Sequence, residues 1–172
     1  MRGRSYSLRG RTPEIRTTGN RFGCNMISAL TNHGALAFQV FSGRFVTTVF
    51  IEFLERLLKH AGQRKVVLIV DGHPVHKVHK VHKVHKVHKA NAVQAWLEEH
   101  ASRIRMFLLP GYAPELNPDE LLNHDVKQAV GKARPRDRDG LKCAVRSWLH
   151  RRQKQPAVIR NFFEAKHVRY AA

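Results

Sequence analysis

Acids are scarce in this sequence, and no aspartate occurs before Asp71. Thirteen Asp and Glu stand against 31 Lys and Arg, a net charge of +18, with 12 His besides. Such a balance points to polyanions, nucleic acid first. Cysteine is nearly absent. Cys24 and Cys143 lie far apart with no metal-ligand spacing, which excludes a disulfide framework and predicts ordinary reduced thiols of an intracellular protein. No apolar run is long enough to span a bilayer. Six arginines fall within the first 21 residues, but no signal-type apolar stretch follows them. No amphipathic helix carries one strongly basic face, so a membrane-surface role finds no support. These absences together predict a cytoplasmic protein with no membrane partner.

What is present is enough for a folded domain. Hydrophobic residues make up 42 % of 172 positions, which suits one domain with a real core. Residues 1–21 are basic and rich in Gly, Ser and Thr, and read as loop. From Arg21, "RFGCNMISAL" reads as a strand, "TNHG" as a turn and "ALAFQVFSG" as a second strand, an antiparallel hairpin. The period then lengthens. Val46, Val49, Phe50, Phe53, Leu54, Leu57, Leu58 and Ala61 recur at three and four, predicting an amphipathic helix closed by Gly62. "KVVLIV" is a short continuous apolar run, the pattern of a strand covered on both faces. "ANAVQAWLEEHA" predicts a helix and "RIRMFLLP" a partly buried strand. After the rigid loop "GYAPELNP", Leu121, Leu122, Val126, Ala129 and Val130 predict a helix ended at Gly131. Residues 132–172 are basic and mostly helical, with stripes at Leu141, Val145, Trp148 and Leu149 and at Val158, Ile159, Phe162 and Phe163. The order predicts an α/β fold with a mixed sheet flanked by helices.

Two carboxylates stand where chemistry gathers. Asp71 follows the apolar strand, at the carboxyl edge where open α/β sheets bind ligands, and a carboxylate there can hold a divalent cation. A plain Asp-Gly turn accounts for it equally. Glu120 lies in "LNPDELL", where Asn117 suits an N-cap, Pro118 the first helical position and Glu120 the capping-box position. Capping leaves the preceding loop, rigid with Pro110 and Pro114, unexplained.

The stretches "LIVDGHPVH" and "LLPGYAPELNPDELLNHDVK" resemble the catalytic core of a DDE transposase, of the bacterial insertion-sequence branch related to the mariner elements. "GRTPEIR", "ISALTNHGALAFQVFSGRF", "FIEFLERLL" and "FFEAKHVRYA" are similar to it as well, so the resemblance covers nearly the whole chain. It implies a ribonuclease H-like fold for residues 22–131 and makes Asp71 and Glu120 the second and third acids of a metal-binding triad. The implied activity is DNA cleavage and strand transfer with two Mg²⁺ or Mn²⁺ ions about 4 Å apart. DNA is the implied partner, held by its phosphates.

The chain also departs from that family. The family's first acid is an Asp on an opening strand upstream of "GRTP", and none is here. Glu14, Glu52 and Glu55 are the only acids before Asp71. Glu14 sits in a basic loop and the other two lie on the long helix, so none is placed to replace the missing acid. Without the opening central strand, "KVVLIV" is expected to present an apolar edge that invites pairing with another chain. The expectation is an N-terminally truncated core, inactive alone, its partner an upstream transposase fragment or a second copy. The other reading is a non-catalytic basic nucleic-acid-binding protein using residues 1–21 and Lys132 to Arg169, where twelve Lys and Arg meet three acids.

Between the two carboxylates, at residues 75–89, Val-His-Lys repeats five times. Asp71 and Glu120 are 49 positions apart; removing four copies leaves 37, near the family's spacing. A period of three drifts around an α-helix, so the insert is expected to form a flexible or frayed helical extension. A metal tract is the sharper alternative, since His76, His79, His82, His85 and His88 could share Zn²⁺ or Ni²⁺. The intervening lysines oppose that, and weak, opportunistic binding is the expectation.

Overall fold

The computed structural model describes residue 9 and residues 22–71, 84–110 and 113–172, with backbone alone for 84–90. The architecture is α/β and fits a ribonuclease H-like fold. A hairpin comes first. Strand β1 (Asn25–Leu30) pairs antiparallel with β2 (Leu36–Phe41), Ser28 opposite Phe38. Its turn closes through hydrogen bonds from the Ala35 N–H to the Thr31 hydroxyl (3.0 Å) and from the Gly34 N–H to the Thr31 carbonyl (2.9 Å). Gly34 has φ +93°, a left-handed backbone that disfavours side chains.

Helix α1 (Thr47–Ala61) buries Phe50, Phe53, Leu54 and Leu58 and ends at Gly62 with φ +61°, as its spacing predicts. Strand β3 (Val66–Val70) pairs parallel with β4 (Ile104–Leu108) across helix α2 (Val84–Glu99), a crossover that parallel strands require. A 3-10 turn at Pro114–Leu116 leads into α3 (Pro118–Ala133), followed by α4 (Arg138–Gln153) and α5 (Pro156–Phe163). No helix among the described residues is long and apolar enough to cross a membrane. Cys24 and Cys143 are both free thiols.

Two apolar clusters hold these parts together. Leu36 and Val40 of the hairpin pack with Leu122, Val126 and Val130 of α3 and with Leu149 of α4. Phe50, Leu54 and Leu58 of α1 pack with Val70, Val93 and Ile104, with Ile27 of β1 against the same cluster. Helix α1 therefore lies against both strand pairs.

Four expectations need correction. The mixed pairing is divided, among the described residues, between two two-stranded sheets, β1–β2 and β3–β4. Strand β3 is not covered on both faces. Val66, Leu68 and Val70 meet α1 and α2, while Val67 is 66 % and Ile69 44 % exposed, as is Phe107 of β4 at 54 %. An apolar run predicts burial, but burial requires a second layer, and the helices that would supply one pack on the hairpin instead. Helix α3 runs past Gly131 to Ala133 because Arg134 takes the left-handed C-cap position (φ 47°) and Pro135 follows. The first strand starts at Asn25, and α2 starts at Val84, so two copies of the repeat are helical backbone. The other copies lie outside the described residues, as do Glu14 and the "GRTPEIR" segment.

Candidate active site

Asp71, where β3 ends, and Glu120, where α3 begins, both lie within electrostatic reach of Asp119. Asp71 follows the last residue of β3 and is partly buried. Asp119 and Glu120 occupy the first turn of α3, the end of a helix that favours negative charge. The local sequence explains the helix start. Asn117 is extended and its side chain accepts a hydrogen bond from the Asp119 N–H (3.0 Å), while Pro118 occupies the first turn. The loop ahead of it is held from the far end of the chain, where the Tyr170 hydroxyl donates to the Leu116 carbonyl at 2.9 Å.

The most constrained acid is Asp119. Its carboxylate accepts a 2.5 Å hydrogen bond from the Ser28 hydroxyl, which joins α3 to the middle of β1. Burial pushes its pKa up to about 6; the Ser28 bond pulls down, and the charges of Glu120 and Asp71 push up again. Those last two influences place Asp71 and Glu120 each within electrostatic reach of Asp119. Glu120 itself is exposed.

Asp71 and Glu120, the expected pair, each lie within electrostatic reach of Asp119. Asp119 is not singled out by the sequence; the one available signal is its position beside Glu120. Among the described residues, no group of three or more His, Cys, Asp and Glu is arranged to hold a metal ion. The chemistry of the donors suits a hard divalent cation, but Asp119 is committed to Ser28 and the set falls short of a complete ion site. The histidines of the repeat at residues 76, 79 and 82 lie outside the described residues, and no side chain is described for His85 and His88.

A family model described as DDE superfamily endonuclease matches the chain in two stretches, residues 1–86 and 83–142. No curated protein matches the chain. Members of that family act on DNA and generally use divalent metal ions. The two stretches between them take in both Asp71 and Glu120 and well over half the sequence, and the chain belongs to the DDE superfamily endonucleases.

Proposed function

We propose that this chain is the core of a transposase of the insertion-sequence branch related to the mariner elements, and that alone it does not cut DNA. The observation that carries the reading is the electrostatic reach of Asp71 to Asp119, the neighbour of Glu120 at the start of α3, while residues 1–70 contain no aspartate. Asp71 and Glu120 would hold Mg²⁺ or Mn²⁺. When bound, such ions activate a hydroxyl and stabilise the leaving oxygen of a phosphodiester. The chain's own contribution is to fix these carboxylates on a strand end and a helix start. Asp119, tied to Ser28, orients the first turn of α3.

The repeat is an insertion in this reading. The two stretches of the family match meet at residues 83–86, inside the Val-His-Lys tract, as they would if the tract were additional to the family's pattern. The location in this reading is the cytoplasm, and the basic segment 132–172 would hold DNA phosphates.

The test is a nicking assay on supercoiled plasmid with purified chain and either Mg²⁺ or Mn²⁺. No cleavage above buffer is expected. Metal-dependent nicking that Asp71→Ala abolishes would overturn the claim of inactivity. The reading as a non-catalytic binder separates on another measurement: a binder holds DNA equally well in EDTA and after Asp71→Asn.

A further inference from the structure

A groove opens between the C-terminal ends of α1 and α2, at the opposite end of β3 from Asp71. The Val66 N–H donates there to the Arg103 carbonyl at 2.8 Å, while Asp71 follows Val70 at the far end of the strand, about 16 Å away. The groove measures about 390 Å³, within the range of small-ligand sites. Glu55, Lys59 and Gln63 line it from α1 and its C-terminal loop, and Trp96, His100 and Arg103 from α2 and the turn before β4.

Two of these side chains are held in place before any ligand arrives. Arg103 donates from Nη2 to the Gly62 carbonyl, which pins the guanidinium against the end of α1. Its Nε is buried and has no hydrogen-bond partner among the described residues. A buried cationic N–H of this kind gains most from an acceptor that a ligand brings. His100 stacks on Trp96, ring centres 4.1 Å apart and planes 15° apart, and its Nδ1 donates to the Trp96 carbonyl at 2.8 Å. That bond places a proton on Nδ1 and leaves Nε2 as the nitrogen that can meet a ligand. Trp96 is itself buried in the core, so the stack has a firm base. Lys59 and Glu55, one turn apart on α1, are exposed. Donors therefore outnumber acceptors: Lys59, Arg103, Gln63 and a protonated His100 are set against the single carboxylate of Glu55.

We infer that this groove binds a phosphate group, at a site separate from the carboxylates. Arg103 and Lys59, with His100 as a third cation when protonated, match the charge and the several oxygens of a phosphate better than those of a carboxylate. A helix C-terminus by itself disfavours an anion. Here the basic last turn of α1, Lys59 and His60, and the Arg103 bond to Gly62 offset that end. Two sources carry the group, a DNA backbone and a free nucleotide, and the experiment separates them.

The test follows the arginine Nε–H signals of the full chain by nitrogen–proton correlation NMR. Inorganic phosphate is titrated against sodium chloride of equal ionic strength, without metal. Arg103→Lys keeps the charge and identifies the Arg103 signal by its loss. A saturable shift of that signal with phosphate, and none with chloride, is expected. Lys59→Gln should weaken phosphate affinity about threefold, and Glu55→Gln should tighten it about twofold. Both positions are exposed, so thermal melts of the two variants should match the parent, and opposite changes in affinity cannot come from a common loss of fold. Deoxyadenosine monophosphate and a short DNA duplex then separate the sources. Tighter binding of the nucleotide than of inorganic phosphate assigns a free nucleotide; the same Arg103 shift with the duplex assigns a backbone phosphate; either supports the inference. An Arg103 signal that phosphate moves no further than chloride overturns it. So does a phosphate shift that Lys59→Gln and Glu55→Gln leave unchanged. None of these outcomes bears on DNA cleavage, so the proposed function stands or falls separately on the nicking assay.

Discussion

Asp125 illustrates how one side chain ties three elements. On α3, it accepts hydrogen bonds from Trp148 Nε1 (2.6 Å), Arg152 Nε (2.7 Å) and Arg152 Nη2 (2.6 Å), all from α4. The Arg152 guanidinium also lies 4.4 Å from the Trp148 ring centre and donates to Gln155 just before α5. Burial pushes the Asp125 carboxyl up, but the Arg152 and Trp148 hydrogen bonds outweigh it and hold the pKa below the usual range. A lowered carboxylate pKa stabilises the fold above the unfolded-chain pKa, and that stability is lost as pH falls through the folded value. Asp125→Ala should therefore cost about 2 kcal/mol at pH 7, less than a fully buried pair because both partners keep some solvent contact. The deficit should shrink toward zero below the folded pKa, as urea melts at stepped pH would show.

Asp119 runs the other way. Its pKa of about 6 lies above the ordinary 3.8, so ionising it opposes folding, and the penalty is complete above the folded value and absent below the unfolded one. Ser28→Ala removes the bond that favours the charged form. The Asp119 midpoint, followed by the carboxyl carbon shift, should then move above 6. An unchanged midpoint would mean that the Ser28 bond does not form in solution.

At the scale of elements, the hairpin turn and α5 meet without slack. A Cβ added at Gly34 would stand 2.5 Å from the Pro156 carbonyl oxygen and 2.7 Å from its Cβ, and φ +93° adds backbone strain. Gly34→Ala should cost more than about 2 kcal/mol and lower Tm by about 5 °C or more, read by thermal unfolding. The repeat predicts the opposite. Deleting 78–89 removes four copies and the start of α2, but leaves the buried Val93 and Trp96 and the whole of β4. Tm should stay within about 3 °C, since helix turns contribute little by propensity alone. Most elements were legible in the sequence because their apolar spacing is regular, α1 and its Gly62 stop above all. The end of α3 was not, because a glycine is tolerated inside a helix when Val126 and Val130 on the same face are buried.

For the whole molecule, charge and exposed apolar surface decide behaviour together. DNA binding should fall by about a thousandfold between 50 and 200 mM salt if six or more phosphates are neutralised, and a flat salt response would exclude a phosphate-led interface. Val67→Lys should reduce aggregation of the free chain on warming, seen as light scattering, by placing a charge on the exposed apolar face of β3.

The amino-acid order alone settled a good deal: the α/β alternation, the basic character, the start of α3 at Asn117–Pro118 and the placing of Asp71 at a strand end. These follow from local rules, namely side-chain period, turn chemistry and capping, which act over a few residues. Three things depended on contacts between distant segments. Strand β3 keeps one face bare, although its residues are apolar on both. Asp119, in the first turn of α3, is tied to Ser28 of β1, 91 residues away. Among the described residues the strands divide into two pairs rather than one sheet. Pattern reports what a segment would gain by burial; which neighbour arrives to bury it is decided by packing in three dimensions.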